Sequence, residues 1–384
     1  MTKIRILGSI TLTILLVVIF FMTSTPIGRV ATKTTLFVTQ IIPNLPVRPL
    51  ELISKTPSRQ QISFKTSNGE MASADLYLPS GNDRNPAVIF FMGVVPPNRN
   101  DERIVSMSEG LARTGTAVLI PWLETQNAEI IIKEDIESLI SAYEFLELHN
   151  RVIPEKIGMA GICTGASMVI IAAQDPRINH KVHFINAFAG YYDARDLIKA
   201  VSTKTKSYRG TSEPWIPDRL TTSLVNKHLI HGSLEKDKLI LKEVLTNGYW
   251  TKENRFSLSP QGQSTLDLIS GTTMTNAEKA IKNLPVGTRT YLEEISPSTK
   301  VADIQTQVLL MHDTSDLLIP PEESKRFAEH LSSLNKHVYH TEFTFFKNVL
   351  KVHKSENERT STINLITQTL KLYLHMYNVM RLLS

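Results

Sequence analysis

The chain of 384 residues has one cysteine, and it stands at the centre of Gly161-Ile162-Cys163-Thr164-Gly165. A strand-to-helix turn of the form G-x-nucleophile-x-G holds its central residue at a strained tip, with the reactive atom exposed and backbone N–H groups behind it. The flanking sequence provides that setting: Lys156 to Ala160 reads as a short buried strand, and an apolar helix is expected from about Ala166. Gly161 and Gly165 remove two Cβ atoms where strand and helix crowd. The positive end of the helix is expected to favour a thiolate over a thiol. A lone thiol cannot build a disulfide framework or a multi-cysteine metal site, so Cys163 is either inert or functional.

A cysteine nucleophile needs a base to take its proton, and the base needs an acid to orient it and stabilise its charge. The order sought downstream is acid, then histidine. Asp316 falls in the loop past a buried strand at Val308 to His312, and His353 in the loop past a strand expected from His340 to Phe346. Asp193, past another strand end, is the alternative acid, and Asp313 reads as a turn or cap residue. His340 is the fallback histidine. The pairs His180/His183 and His228/His231 have i,i+3 spacing, but no thiol or carboxylate cluster joins them, so they read as surface histidines and neither a metal nor another cofactor is expected. An oxyanion hole requires two N–H donors. Thr164 is expected to give one, and Val94, in the loop after a strand at Ala87 to Met92, the other, with Gly93 giving the backbone room.

The elements that must position these residues follow from apolar periodicity. An antiparallel hairpin runs from Gln60 to Leu78 about a turn at Ser67-Asn68-Gly69. Helices are expected near 101–113 and 129–149, a strand at 117–121, another at 182–189, a helix at 321–334 and a long terminal helix at 360–383. Strands alternating with helices predict an α/β fold with a mostly parallel central sheet covered on both faces, whose ligands bind beyond the strands' carboxyl ends. Residues 194–300 interrupt that alternation. They contain no convincing central strand and read as a helical cap or lid inserted over the sheet.

Composition bounds the rest. Apolar residues make up 42% and charged residues 21%, ordinary for a globular chain. The net charge of +5 is thinly spread, with no basic run interleaved with aromatics, so nucleic acid is not an expected partner. Residues 1–24 place Lys3 and Arg5 before a charge-free run from Ile6 to Met22. This predicts a single-pass N-terminal transmembrane anchor, or a signal if cleaved, with the body outside the cytoplasm. Residues 25–56, rich in proline, read as a membrane-proximal linker within which a short amphipathic helix from Val30 to Ile42 is possible. The catalytic core is then expected at 57–193 and 301–384.

With these residues in place, the chain resembles an α/β-hydrolase of the dienelactone-hydrolase type. EKIGMAGICTGA resembles that family's elbow with cysteine as nucleophile, MHDTSDLLIP its acid loop, and SFKTSNGEMASADLYLPSG its entry hairpin. The similarity covers roughly 60–193 and 301–384. The elbow departs from the family pattern in having Ala166 where a second glycine is usual, and His353 lies in LKVHKS rather than after a glycine. The resemblance implies an α/β-hydrolase fold and a Cys163–His353–Asp316 triad cleaving an ester, lactone or thioester of a small acyl substrate through a thioester acyl-enzyme. An acyltransferase using the same cysteine, and a catalytically silent binding protein of the same fold, are the alternatives.

Overall fold

Strands with apolar side chains on both faces require cover on both faces. The computed structural model describes residues 20–42, 47–344 and 362–384. In it the strands β1 (Ser58–Lys65), β2 (Met71–Leu78), β3 (Asn85–Phe91), β4 (Ala117–Trp122), β5 (Val152–Ile162), β6 (Phe184–Phe188), β9 (Gln307–Asp313) and β10 (Val338–Phe343) form one sheet. Its order is β1-β2-β4-β3-β5-β6-β9-β10. The pairs β1/β2 and β2/β4 are antiparallel and all others parallel.

Alternation splits each central strand between two cores. Ala87, Ile89 and Phe91 of β3 join one buried cluster, and Val88 joins the other; Leu310 and Leu309 of β9 divide the same way. From β3 the chain steps outward to β4, then returns to place β5 on β3's other side. The chain therefore reverses direction across the sheet between β3 and β5, where carboxyl-end loops diverge and leave a crevice.

The second face is covered by α1 (Pro26–Ile41), α3 (Glu102–Arg113) and α14 (Thr362–Leu382). The helix expected to be possible within 25–56 is α1, and it is no tether. Val30, Phe37 and Val38 are buried in this second core, and Tyr373 Oη donates to the Ala31 carbonyl at 3.3 Å. The short α2 (Pro49–Ile53) is tied down as well, Gln40 Nε2 donating to both Glu51 and Ser106. Two prolines that argued for a linker, Pro26 and Pro49, stand at helix N-termini, where a missing N–H costs nothing. The run from Ile6 expected to form an anchor lies, up to residue 19, outside the described residues. Among the described residues no helix is long and apolar enough to cross a membrane.

The first face carries α4 (Lys133–Glu147), α5 (Thr164–Ala172), α13 (Glu322–Ser333) and the cap. The cap comprises α6 (Ala194–Thr203), a separate hairpin of β7 (Thr205–Tyr208) and β8 (Thr211–Pro214), then α7 (Arg219–His231), α8 (Glu235–Asn247), α9 (Lys252–Ser257), α10 (Pro260–Ser270), α11 (Met274–Asn283) and α12 (Val286–Glu294). His228, expected at the surface, is instead buried in the seam between cap and core. Its Nε2 accepts the Ile131 N–H at 3.0 Å, its Nδ1 donates to the Leu224 carbonyl, and its ring stacks on Tyr291. Burial pushes its pKa down to about 4 and keeps it neutral.

Candidate active site

At the end of β5 the chain turns directly into α5, with Cys163 as the helix N-cap at φ 55°, ψ −132°. A side-chain-bearing residue at positive φ is strained and persists only where its surroundings over-determine it. Here they do. The Cys163 N–H donates to the Phe188 carbonyl at 2.9 Å, and its own carbonyl accepts from Ala166 at 3.0 Å. The helix begins at Thr164, two residues earlier than expected.

The glycines act by closeness. A Cβ on Gly161 would stand 2.5 Å from the Gly165 carbonyl oxygen and 2.7 Å from the Ala166 nitrogen. One on Gly165 would collide with the Gly93 nitrogen and the Phe91 carbonyl, both backbone atoms that cannot swing aside. The loop after β3 is thus packed onto the elbow, backbone against backbone. That loop is itself contorted, with positive φ at Gly93 (73°) and Val95 (48°). Gln126 clamps it: its Nε2 donates to the Gly93 carbonyl at 2.7 Å, and its own carbonyl accepts the Val95 N–H at 2.8 Å. Sequence reasoning missed Gln126, since nothing in the local pattern ties a glutamine in a short turn to a loop thirty residues earlier.

The two N–H groups expected as oxyanion donors both have partners in the structure: the Val94 N–H donates to Thr164 Oγ1 at 3.0 Å, and the Thr164 N–H interacts with the Cys163 sulfur.

Burial works against the expected thiolate. Cys163 keeps some exposed surface but is enclosed enough that desolvation pushes its pKa up to about 12; the negative charge of Asp316 adds to the rise, and the Thr164 N–H offsets it only in part.

Asp316, the acid expected from sequence, therefore lies near enough for its charge to act on Cys163. Its Oδ1 accepts from the Leu318 N–H at 2.7 Å and the Ile319 N–H at 3.3 Å, while Oδ2 stands 3.4 Å from Nε2 of the fully buried His312. Asp193 is differently employed. It caps α6 through the Arg195 N–H and holds the Arg195 guanidinium and the Ser298 hydroxyl. Burial alone would raise its carboxyl, yet these partners hold it below the ordinary range. Asp313 Oδ1 accepts from the Ser315 N–H and hydroxyl within its own turn.

Of the histidines, His353 lies outside the described residues. His340 sits inside β10, opposite Leu310, with Nε2 3.1 Å from Ser324 Oγ, and not in a loop beyond the strand. Two clefts, of about 220 and 840 Å³, open on the flank where Tyr208 and Arg209 meet α13 or the end of α6, and Cys163 lines neither.

No family model matches the chain. A curated protein of Bradyrhizobium sp, a probable 2-oxo-3-(5-oxofuran-2-ylidene)propanoate lactonase, is 23% identical over 189 residues, 43% of this chain and 74% of that one. Among solved structures, Porphyromonas gingivalis dipeptidyl peptidase 4 is similar at a TM-score of 0.50 and 12% identity, over 83% of this chain and 36% of that one. A Pyrobaculum calidifontis esterase matches at a TM-score of 0.47 and 12% identity, covering 91% and 92% of the two chains. The chain spans well under half the length of the peptidases it resembles. The strand order and the likeness to dipeptidyl peptidase 4 establish an α/β-hydrolase-like fold.

Proposed function

We propose that this chain is a hydrolase of acyl bonds, of the dienelactone-hydrolase type, in which Cys163 attacks an ester, lactone or thioester carbonyl. The observation that carries this reading is the strained elbow: the Cys163 side chain held at positive φ where the sheet's loops diverge, within reach of the Asp316 charge. The lactonase relative supports the substrate class.

Burial favours the thiol form of Cys163, so the proton is to leave as the S–C bond forms. His353 is assigned to accept it, oriented by Asp316. The carbonyl π pair moves onto oxygen, which takes the Thr164 and Val94 N–H groups once the Thr164 hydroxyl has turned away. When the oxyanion collapses, the leaving oxygen or sulfur departs with the proton from the imidazolium. Water, losing its proton to the same imidazole, then cleaves the thioester and regenerates the thiol. The cap would choose the acyl group. The run from Ile6 to Met22 is assigned as a membrane anchor with the body outside the cytoplasm, on the strength of the Lys3 and Arg5 charges before it.

The test is turnover of an ester, lactone and thioester panel by the full chain, beside Cys163→Ala and His353→Ala. Each substitution is expected to cost roughly 10³-fold or more in kcat with folding intact. Turnover by Cys163→Ala at the wild-type rate ends the proposal. Product analysis with an added alcohol or amine separates hydrolysis from acyl transfer.

A further inference from the structure

Three consecutive carbonyls of the loop that carries Asp316 are held by the cap. Trp215 Nε1 donates to the Asp316 carbonyl at 2.9 Å, the Asp218 N–H to the Leu317 carbonyl at 2.7 Å, and Thr221 Oγ1 to the Leu318 carbonyl at 2.8 Å. From this geometry we infer that Trp215 and Thr221 are positioning residues for the catalytic acid, so that the cap completes the site as well as covering it. The inference rests on the reading that Asp316 serves Cys163.

The path is short and rigid. The Leu317 carbonyl and the Leu318 N–H belong to one peptide plane; the Leu318 carbonyl and the Ile319 N–H belong to the next. Those two N–H groups are the ones that bind Asp316 Oδ1, at 2.7 and 3.3 Å. A trans peptide is planar and points its carbonyl and N–H in opposite directions, and no peptide bond among the described residues is cis. Asp218 and Thr221 therefore grip the far edge of the same two planes whose near edge holds the carboxylate, while Trp215 holds the carbonyl of Asp316 itself. If the cap lifts, these planes are free to rotate and the carboxylate loses its fixed place. A loop otherwise tends to move, whereas a working acid must be held to within about 0.5 Å.

The gripping segment is itself anchored. The Trp215 N–H donates to the Lys204 carbonyl at 2.9 Å, Asp218 caps α7 through the Leu220 N–H, and the Trp215 and Thr221 side chains are buried. Substrate that must pass the cap thus meets an acid that is aligned only when the cap is seated.

The single cysteine makes the test clean. The rate of Cys163 alkylation by iodoacetamide is measured between pH 7 and 10 on the full chain for wild type, Asp316→Asn, Trp215→Phe, Thr221→Val and the two combinations with Asp316→Asn. Asp316→Asn is expected to change the alkylation rate severalfold, because it removes both a charge that raises the thiol's pKa and the group assigned to orient His353. Trp215→Phe and Thr221→Val are expected to give part of that change, in the same direction, and to add nothing in the Asp316→Asn background. Trp250→Phe, a half-exposed cap tryptophan, is expected to leave the rate unchanged.

Should the cap variants match wild type while Asp316→Asn changes the rate, or should their effects add to it, the positioning role is wrong. Should Asp316→Asn itself have no effect, the assignment of Asp316 beside the nucleophile is wrong. Trp215→Phe keeps an aromatic ring and Thr221→Val keeps the shape, so if one fails to fold the other carries the test. With a p-nitrophenyl butyrate assay the same variants are expected to lower kcat roughly three- to tenfold and to change KM little, where a substrate-fitting role would raise KM.

Discussion

The elbow and the acid loop are secured in different ways. The elbow is held by backbone: Gly161 lies against Gly165 and Ala166, four and five residues on, Gly165 lies against the Gly93 loop, and the strand and helix it joins are its immediate neighbours. The acid loop is held from without, by Trp215, Asp218 and Thr221, about a hundred residues earlier in the chain. On the proposed reading, a site assembled this way has a rigid nucleophile and a conditional acid. Damage to the elbow should therefore appear as lost folding, and damage to the cap contact as altered reactivity in a folded protein.

The hardest break of that contrast lies outside both regions. Deleting residues 1–55 removes α1 and uncovers the second core; burying Val30, Phe37 and Val38 contributes roughly 1.5–3 kcal/mol each, comparable in sum to a domain's whole stability. The truncated chain is expected to be insoluble or unfolded by circular dichroism. A cooperative melt within a few degrees of the full chain would show that α1 is dispensable.

Gly165→Ala strikes the elbow alone. With only backbone atoms in the way of the new Cβ, it should cost roughly 3 kcal/mol or more in urea unfolding. A loss under about 0.5 kcal/mol, the range of an ordinary surface substitution, means that the elbow is more yielding than its geometry implies.

Acid should weaken the cap seam. His228 is neutral in the fold, with its pKa pushed down to about 4 from an ordinary 6.5, so its contribution is complete above pH 6.5 and is lost as the pH falls through 4. The loss is on the order of 3 kcal/mol. Melts taken from pH 7 to 4 should decline less steeply in His228→Gln, which keeps an acceptor for Ile131 without the titration. Equal slopes in the two proteins would place the acid sensitivity elsewhere.

The smallest effect sharpens the comparison inside the elbow. Thr164→Ala removes the acceptor of the Val94 N–H, so Tm should fall by a few degrees, consistent with about 1–2 kcal/mol for an unpaired buried donor. It also vacates the oxyanion position, and kcat on an ester should rise severalfold. A fall in kcat would instead make the Thr164 hydroxyl part of the catalytic arrangement.

Much of this molecule was readable before any coordinates. The elbow at Cys163, the loop at Gly93-Val94 and the order of buried strands are local patterns, set by which side chains alternate and where a Cβ cannot fit. The segment 26–56 misled because prolines were counted as breakers, whereas Pro26 and Pro49 begin helices. His228 misled because i,i+3 spacing says nothing of what a cap will press it against.

What the amino-acid order settles by itself is thus the scaffold and the position of the one thiol, since both arise from neighbours along the chain. Whether that thiol is ionised, and what keeps Asp316 in place, depends on burial and on charges summed over segments far apart in sequence. The pKa of the Cys163 thiol is pushed up because the fold encloses much of it and places the Asp316 charge within reach. No stretch of neighbouring residues carries that information, and only the folded arrangement decides it.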